Sequence, residues 1–175
     1  MTDQESKPYR VVIAAGGDTS QDADTVPFVI DEMFGYAAMV TARRIQRVLG
    51  ARFEKYGVLF GEWPILLFLW AKGTASQNDL SKLVSIGEGT IARSVSRMEK
   101  KGLVKRERNS QDRREYIVQP TEKGLGLRDT LLAEANDLTK AIRAAMGADE
   151  LDQLTETHRQ LNEVLQEIEA RDQNA

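Results

Sequence analysis

Residues 76–124, SQNDLSKLVSIGEGTIARSVSRMEKKGLVKRERNSQDRREYIVQPTEKG, leave this chain little choice of fold. Ser76 reads as the N-cap of a short helix over 77–84, with Asp79 three residues later imitating a capping box. Leu80, Leu83 and Val84 form its buried face. Ser85 with Glu88 makes a full Ser-x-x-Glu box and opens a second helix. The inward stripe of this helix is Ile91, Val95 and Met98, with Ile86 near its start, while Thr90, Arg93, Ser94, Arg97 and Lys101 point away. Gly102, just after Lys100 and Lys101, stops the helix. The stretches 103–108 and 115–119 are rich in strand formers and flank a turn at 109–112. Two short helices, a tight turn and a basic hairpin, in that order, describe a winged helix-turn-helix.

The charge supports a polyanionic partner. Residues 81–117 hold ten Lys and Arg against five Asp and Glu, a net +5. The whole chain is −3, so the remainder carries −8. One basic block on an acidic protein attracts a polyanion at one place and repels it elsewhere.

The rest of the 175 residues suits dimerisation helices around a small domain. Residues 1–27 read as a loose extension. Its apolar run over 9–15 could add as an edge strand or pack on a partner, and Gly16-Gly17 lacks the following helix of a phosphate loop. Residues 28–57 form an N-terminal dimerisation helix, with Val29, Met33, Tyr36 and Val40 as its stripe before a drift to Ile45, Val48 and Leu49. Residues 58–121 form the DNA-binding domain. Its hub is a helix over roughly 61–72, apolar on nearly every side, with Pro64 in its first turn and Gly73 as its stop. Residues 122–172 form C-terminal dimerisation helices. One spans about 122–146, with an apolar stripe that includes Leu125 and Met146. The other is capped by Asp149 and spaces Leu151, Leu154, His158, Leu161, Leu165 and Ile168 as a heptad seam. The fold class is mostly α with a small β-wing.

The absence of cysteine excludes disulfides, thiolate metal sites and thiol redox sensing, and no cofactor or metal is expected. With a single histidine, His158, no nucleophile–base pair can be assembled. Asp31-Glu32 and Asp149-Glu150 are sequence neighbours rather than cleft dyads, so an enzyme is not expected. The longest apolar run, over 65–71, falls far short of the ~20 residues of a membrane span. A cytoplasmic protein without membrane contact is the expectation.

From Ser76 to Gly124 the chain resembles the MarR (multiple-antibiotic-resistance regulator) family of bacterial winged-helix repressors, and the likeness extends over roughly 28–170. The wing with its Asp112-x-Arg114 pair and the Thr121-x-x-Gly124 helix start carry it. The chain departs from the family pattern at Pro120, where a leucine usually ends the strand. Leu59 or Phe60 stands where a threonine usually caps the second helix, and the leader is longer than usual. The resemblance implies a homodimer on an inverted repeat of double-stranded DNA.

A recognition helix of about 16 residues is ~24 Å long and fits a major groove. Arg93 is the candidate for a bidentate guanine contact, and Thr90 for a thymine methyl or a phosphate. Glu88 and Ser94 share that face. Gly87 and Gly89 either let the backbone approach DNA or merely loosen a turn. Arg97 and Lys101 are expected on phosphate. Arg113 or Arg114 is expected in the minor groove, oriented by Asp112, although a solvated hairpin tip fits the same residues. Ser76 and Arg108 complete the DNA-binding set. The resemblance also implies release by a small aromatic or phenolic ligand, with Met39, Arg43, Trp63, Leu67 and Trp70 as candidate contacts. Both tryptophans fit a plain core equally well. His158 could make a dimer pH-sensitive or simply be hydrogen-bonded. A winged-helix module that binds proteins instead of DNA is the alternative.

Overall fold

A computed structural model describes residues 12–13, 28–29, 33–109 and 115–173. The chain divides into two units, Met1–Gly50 and Ala51–Ala175. In the first, β1 (Val12–Ile13) pairs antiparallel with β2 (Phe28–Val29), Val12 opposite Val29. The helix expected from residue 28 therefore starts later, as α1 (Phe34–Glu54). β-Branched Val29 suits a strand ladder better than a helix start. Of the expected stripe, Met33, Tyr36, Ile45 and Val48 are exposed, and Leu49 is buried.

The second unit is organised around α2 (Trp63–Lys72), entered through a 3-10 turn at Phe60–Glu62. Trp63, Ile65, Leu66 and Leu69 of this helix are buried. With Phe53, Val58, Leu80, Ile91, Val95, Met98, Leu103, Val104, Val118 and Leu131 they make the core. Its all-round apolarity thus places α2 at the centre. Gly73 ends it with φ +80°, and its amide bonds the Leu69 carbonyl at 2.8 Å.

A short strand β3 (Ala75–Ser76) follows, too brief to carry a strand pattern in sequence. Ser76 then caps α3 (Gln77–Val84), accepting the Asp79 amide at 3.0 Å and donating to the Asp79 carboxylate at 3.0 Å. Leu80 is buried as expected, but Leu83 is 45% exposed. The eight-residue helix has room to bury only one narrow stripe, and Leu83 falls outside it.

Ser85 does not cap the next helix. It stands at φ +53°, in the left-handed position that ends α3. Its amide reaches the Lys82 carbonyl at 3.3 Å, and the Ile86 amide reaches the Ser81 carbonyl at 3.1 Å, the two bonds of a Schellman turn. The Ser81 hydroxyl donates to the Ile86 carbonyl at 2.6 Å and reinforces it. The cap of α4 (Glu88–Lys100) is consequently Gly87, whose carbonyl accepts the Thr90 and Ile91 amides.

β4 (Val104–Arg108) and β5 (Tyr116–Pro120) form the wing hairpin, and β3 pairs on the other edge of β5. Pro120 is the last residue of β5, where a missing amide donor costs no inner ladder bond. The single helix expected over 122–146 is broken into α5 (Glu122–Gly126) and α6 (Arg128–Met146). Gly124 and Gly126 weaken helix propensity here, and the Trp70 indole N–H donates to the Gly124 carbonyl at 3.0 Å, drawing that acceptor aside. Leu125 is therefore exposed rather than inward, and so is Met146. Gly147, not Asp149, occupies the cap position of α7 (Ala148–Asp172). Asp149 and Glu150 lie in its first turn, where the helix dipole favours acids.

No residue of α7 is buried; Leu154, Leu165 and Ile168 of its apolar seam stand exposed, and so does Val164 outside the seam. His158 is exposed too, its Nδ1 2.9 Å from the Leu154 carbonyl.

The tightest backbone approach lies between Gly124 and Leu103. A Cβ on Gly124 would stand 2.1 Å from the Leu103 carbonyl oxygen. Gly124→Ala is expected to destabilise the protein by about 1–3 kcal/mol or more, as overpacking against rigid backbone does. Denaturant unfolding of the two proteins measures it.

Candidate nucleic-acid interface

The two sides of α4 differ sharply. Ile91, Val95 and Met98 are buried at 1% exposure or less, whereas Gly87, Glu88, Gly89, Thr90, Arg93 and Arg97 are exposed. The helix start thus shows no bulky side chain before Thr90 apart from Glu88. Arg93 Nη2 donates to Thr90 Oγ1 at 3.0 Å, which lays the guanidinium back along the outer face toward the N-terminus. A Cβ on Gly89 would meet only Arg93 Nη1, at 4.0 Å. Nothing among the described residues requires a glycine there.

Three residues expected at the DNA surface are placed differently. Ser94 is buried, 5% exposed, and accepts Arg97 Nη2 at 3.2 Å. Helix phase puts it beside Val95 on the packed side. Ser76 is also 5% exposed, with its hydroxyl engaged by Asp79 as the α3 cap. The Lys101 ammonium sits on Glu62, 2.8 Å from Oε2 and 3.0 Å from Oε1. It is held inward rather than displayed.

Glu62 was not singled out in the sequence. Its carboxylate is fully buried and also accepts the Leu59 amide at 2.9 Å, the acidic half of a capping box. Arg97 Nε lies 3.6 Å from it. The signal was there, an acid three residues after Leu59 at the head of an apolar helix, but a first-turn acid ordinarily faces solvent.

The wing carries its own pairing. Arg106 Nε bonds Glu99 Oε2 at 2.9 Å, tying β4 to the last turn of α4. That guanidinium holds the Glu99 carboxyl below the usual carboxylate range, and the carboxylate in turn raises Arg106. Lys105 pairs with Glu107 at 3.1 Å. Arg106 and Arg108, two residues apart on one strand face, lie over the Tyr116 ring at 5.5 and 5.7 Å. Asn109 Nδ2 closes the hairpin onto Glu115 at 2.9 Å. Asp112, Arg113 and Arg114 lie outside the described residues.

Of the ligand candidates, Trp63 is buried, its ring 4.7 Å from Phe53 and edge-on to Trp70 at 5.7 Å. Trp70 spends its indole donor on Gly124, and Leu67 is half-buried. Phe53 and Trp63 belong to the core, and half-buried Trp70 completes the aromatic cluster at its edge. Met39 and Arg43 are exposed on α1 in the first unit. Among the described residues there is no group of three or more His, Asp or Glu able to hold a metal ion. No helix among them is long and apolar enough to cross a membrane.

Residues 61–116 match the model of the MarR family. Over 127 residues the chain is 28% identical to the uncharacterized HTH-type transcriptional regulator YdgJ of Bacillus subtilis, covering 72% of this chain and 77% of that protein. A crystal structure of a MarR transcriptional regulator from Methanosarcina mazei superposes with a TM-score of 0.71 at 28% identity, covering 77% of this chain and 96% of that one. Reduced AbfR, solved bound to DNA, shares the fold with a TM-score of 0.61 at 21% identity over 75% of this chain and 90% of its own. With α4, the hairpin and their order in hand, residues 61–116 carry a MarR-family domain, and most of the chain is similar to winged helix-turn-helix transcriptional regulators.

Proposed function

We propose that the protein is a homodimeric, sequence-specific DNA-binding repressor that reads an inverted repeat in double-stranded DNA. The observation that carries this reading is the outer face of α4, where Thr90 and Arg93 stand exposed behind a glycine-opened first turn. A helix showing its first turns in this way suits the major groove, with Arg93 bidentate to a guanine and Thr90 on a neighbouring methyl or phosphate. Arg97 serves the backbone phosphate, Arg108 belongs to the same DNA-binding set, and Arg113 or Arg114 is assigned to the adjacent minor groove. Lys101, Ser76 and Ser94 drop out of the contact set, being paired or buried.

The exposed apolar seam of α7 supports dimerisation, since a leucine-rich heptad face left in water is a liability that a second copy removes. Twofold pairing sets half-sites about 34 Å apart. AbfR, which shares this fold, has been solved bound to DNA, and this supports the DNA-binding part of the reading.

The reading is tested by duplex binding across salt. Binding is expected to weaken with salt along a slope of about −0.9 for each phosphate neutralised, and sedimentation should give a dimer. A monomer indifferent to duplexes at low salt refutes it and leaves the protein-interaction alternative. Arg93→Ala should cost about 1–3 kcal/mol at one base pair per half-site and relax specificity there. Binding to single-base operator variants measures this.

Gly89→Ala separates a backbone-approach role from a loose turn. The free protein should gain up to about 1 kcal/mol from better helix propensity, while DNA affinity falls. Unchanged affinity returns Gly89 to a turn-loosening role. For derepression we keep a small aromatic or phenolic ligand, with Arg43 as the counter-charge to its acid group. A panel of aromatic acids titrated against the protein–DNA complex should include one that releases the duplex. No release by any member removes the effector from the proposal.

A further inference from the structure

We infer that Glu62 sets the specificity of DNA binding, holding the C-terminal end of α4 in place and withholding the Lys101 ammonium from phosphate. The inference rests on the DNA-binding reading above and deepens it.

A carboxylate with no solvent exposure persists only when its charge is matched and its lone pairs are used. Here both conditions hold. Oε2 accepts the Leu59 amide at 2.9 Å and Lys101 Nζ at 2.8 Å, while Oε1 accepts Lys101 Nζ at 3.0 Å. The Arg97 guanidinium faces the same group at 3.6 Å but stays half-exposed. Lys101 is gripped from a second side as well, because Lys123 Nζ donates to its backbone carbonyl at 2.8 Å. The exit of α4 is therefore pinned to the entry of α2 by a charged bond that no solvent reaches on the Glu62 side.

Two consequences meet at the DNA. Pinning α4 fixes where Arg93 and Thr90 stand relative to the domain beneath them, and base readout depends on that geometry. Neutralising Lys101 removes one cation that would otherwise attract any phosphate regardless of sequence. Specificity is the ratio of affinities for the right and wrong duplex, so lowering the wrong one raises it. Glu62 acts through Lys101 and Arg97 and touches no base, so it is a positioning residue.

The test compares wild type, E62Q and E62Q/K101Q on a duplex selected by the wild-type protein and on a random duplex, each across a salt series. In E62Q the amide still accepts the Leu59 N–H, but the ammonium is released. The salt slope on random DNA should steepen by about one, and the selected-to-random ratio should fall about tenfold. In E62Q/K101Q an uncharged pair replaces an ion pair of zero net charge, and the slope should return to wild type. Were Lys101 a phosphate contact, the double variant would instead lose about one from the slope, which overturns the assignment. An E62Q protein that melts earlier but keeps slope and ratio overturns it equally. If E62Q does not fold, the double variant decides alone. Wild-type protein without salt-dependent affinity for any duplex sinks the DNA-binding reading itself, an outcome distinct from the others.

Discussion

Where the chain leaves α4, its backbone is held by the segment that begins α5. The Thr121 amide bonds the Leu103 carbonyl at 3.0 Å, and the Thr121 hydroxyl donates to the Gly102 carbonyl at 2.6 Å. Gly124 then passes so near Leu103 that no side chain fits between them, while the Trp70 indole holds the Gly124 carbonyl from α2. Thr121 also caps α5 through the Gly124 amide at 3.1 Å. One short threonine–glycine segment thus joins the recognition helix, the wing and the start of the C-terminal helices. Groups packed this closely move together or not at all, so α4 cannot tilt without carrying β4 and α5 with it.

The electrostatics add a second constraint. A net charge of +5 over 81–117 suggests a uniformly basic surface, yet much of it is balanced locally. Glu99 answers Arg106, Glu107 answers Lys105, and Glu62, from outside the segment, answers Lys101. Arg93 differs in donating to a hydroxyl on its own helix, while Arg97 donates to Ser94 and also faces the shared Glu62 carboxylate at 3.6 Å. The positive charge that Arg93 and Arg97 place on the outer face of α4 is carried by guanidiniums, and guanidiniums discriminate their partners by geometry better than ammonium groups do.

The sequence was most legible where a local rule matched the global fold. Ser76 as a cap, Gly73 and Gly102 as stops, the Ile91–Val95–Met98 stripe and the basic hairpin all follow from spacing and side-chain chemistry. It misled where two local rules competed. Ser85 satisfies the pattern of a capping box, but the turn between α3 and α4 needs a left-handed residue and takes it first. The stripe over 122–146 reads as one helix because periodicity does not register that Trp70, more than fifty residues earlier, claims the Gly124 carbonyl. Ser94 lies at the boundary between the packed and open sides, where a hundred-degree step is too coarse to decide. The burial of Glu62 could not be read from its local capping pattern because its partner Lys101 lies 39 positions away. Pairings across such distances exist only after the chain has folded.

The aromatic cluster around α2 has a practical consequence. The chain contains two tryptophans, and both are packed beside Phe53 or one another inside the winged domain. Intrinsic emission from the intact protein is therefore a domain-selective optical reporter. It registers loosening of the Gly124 bond or of the α2 core, and it stays silent when helices α6 and α7 fray on their own.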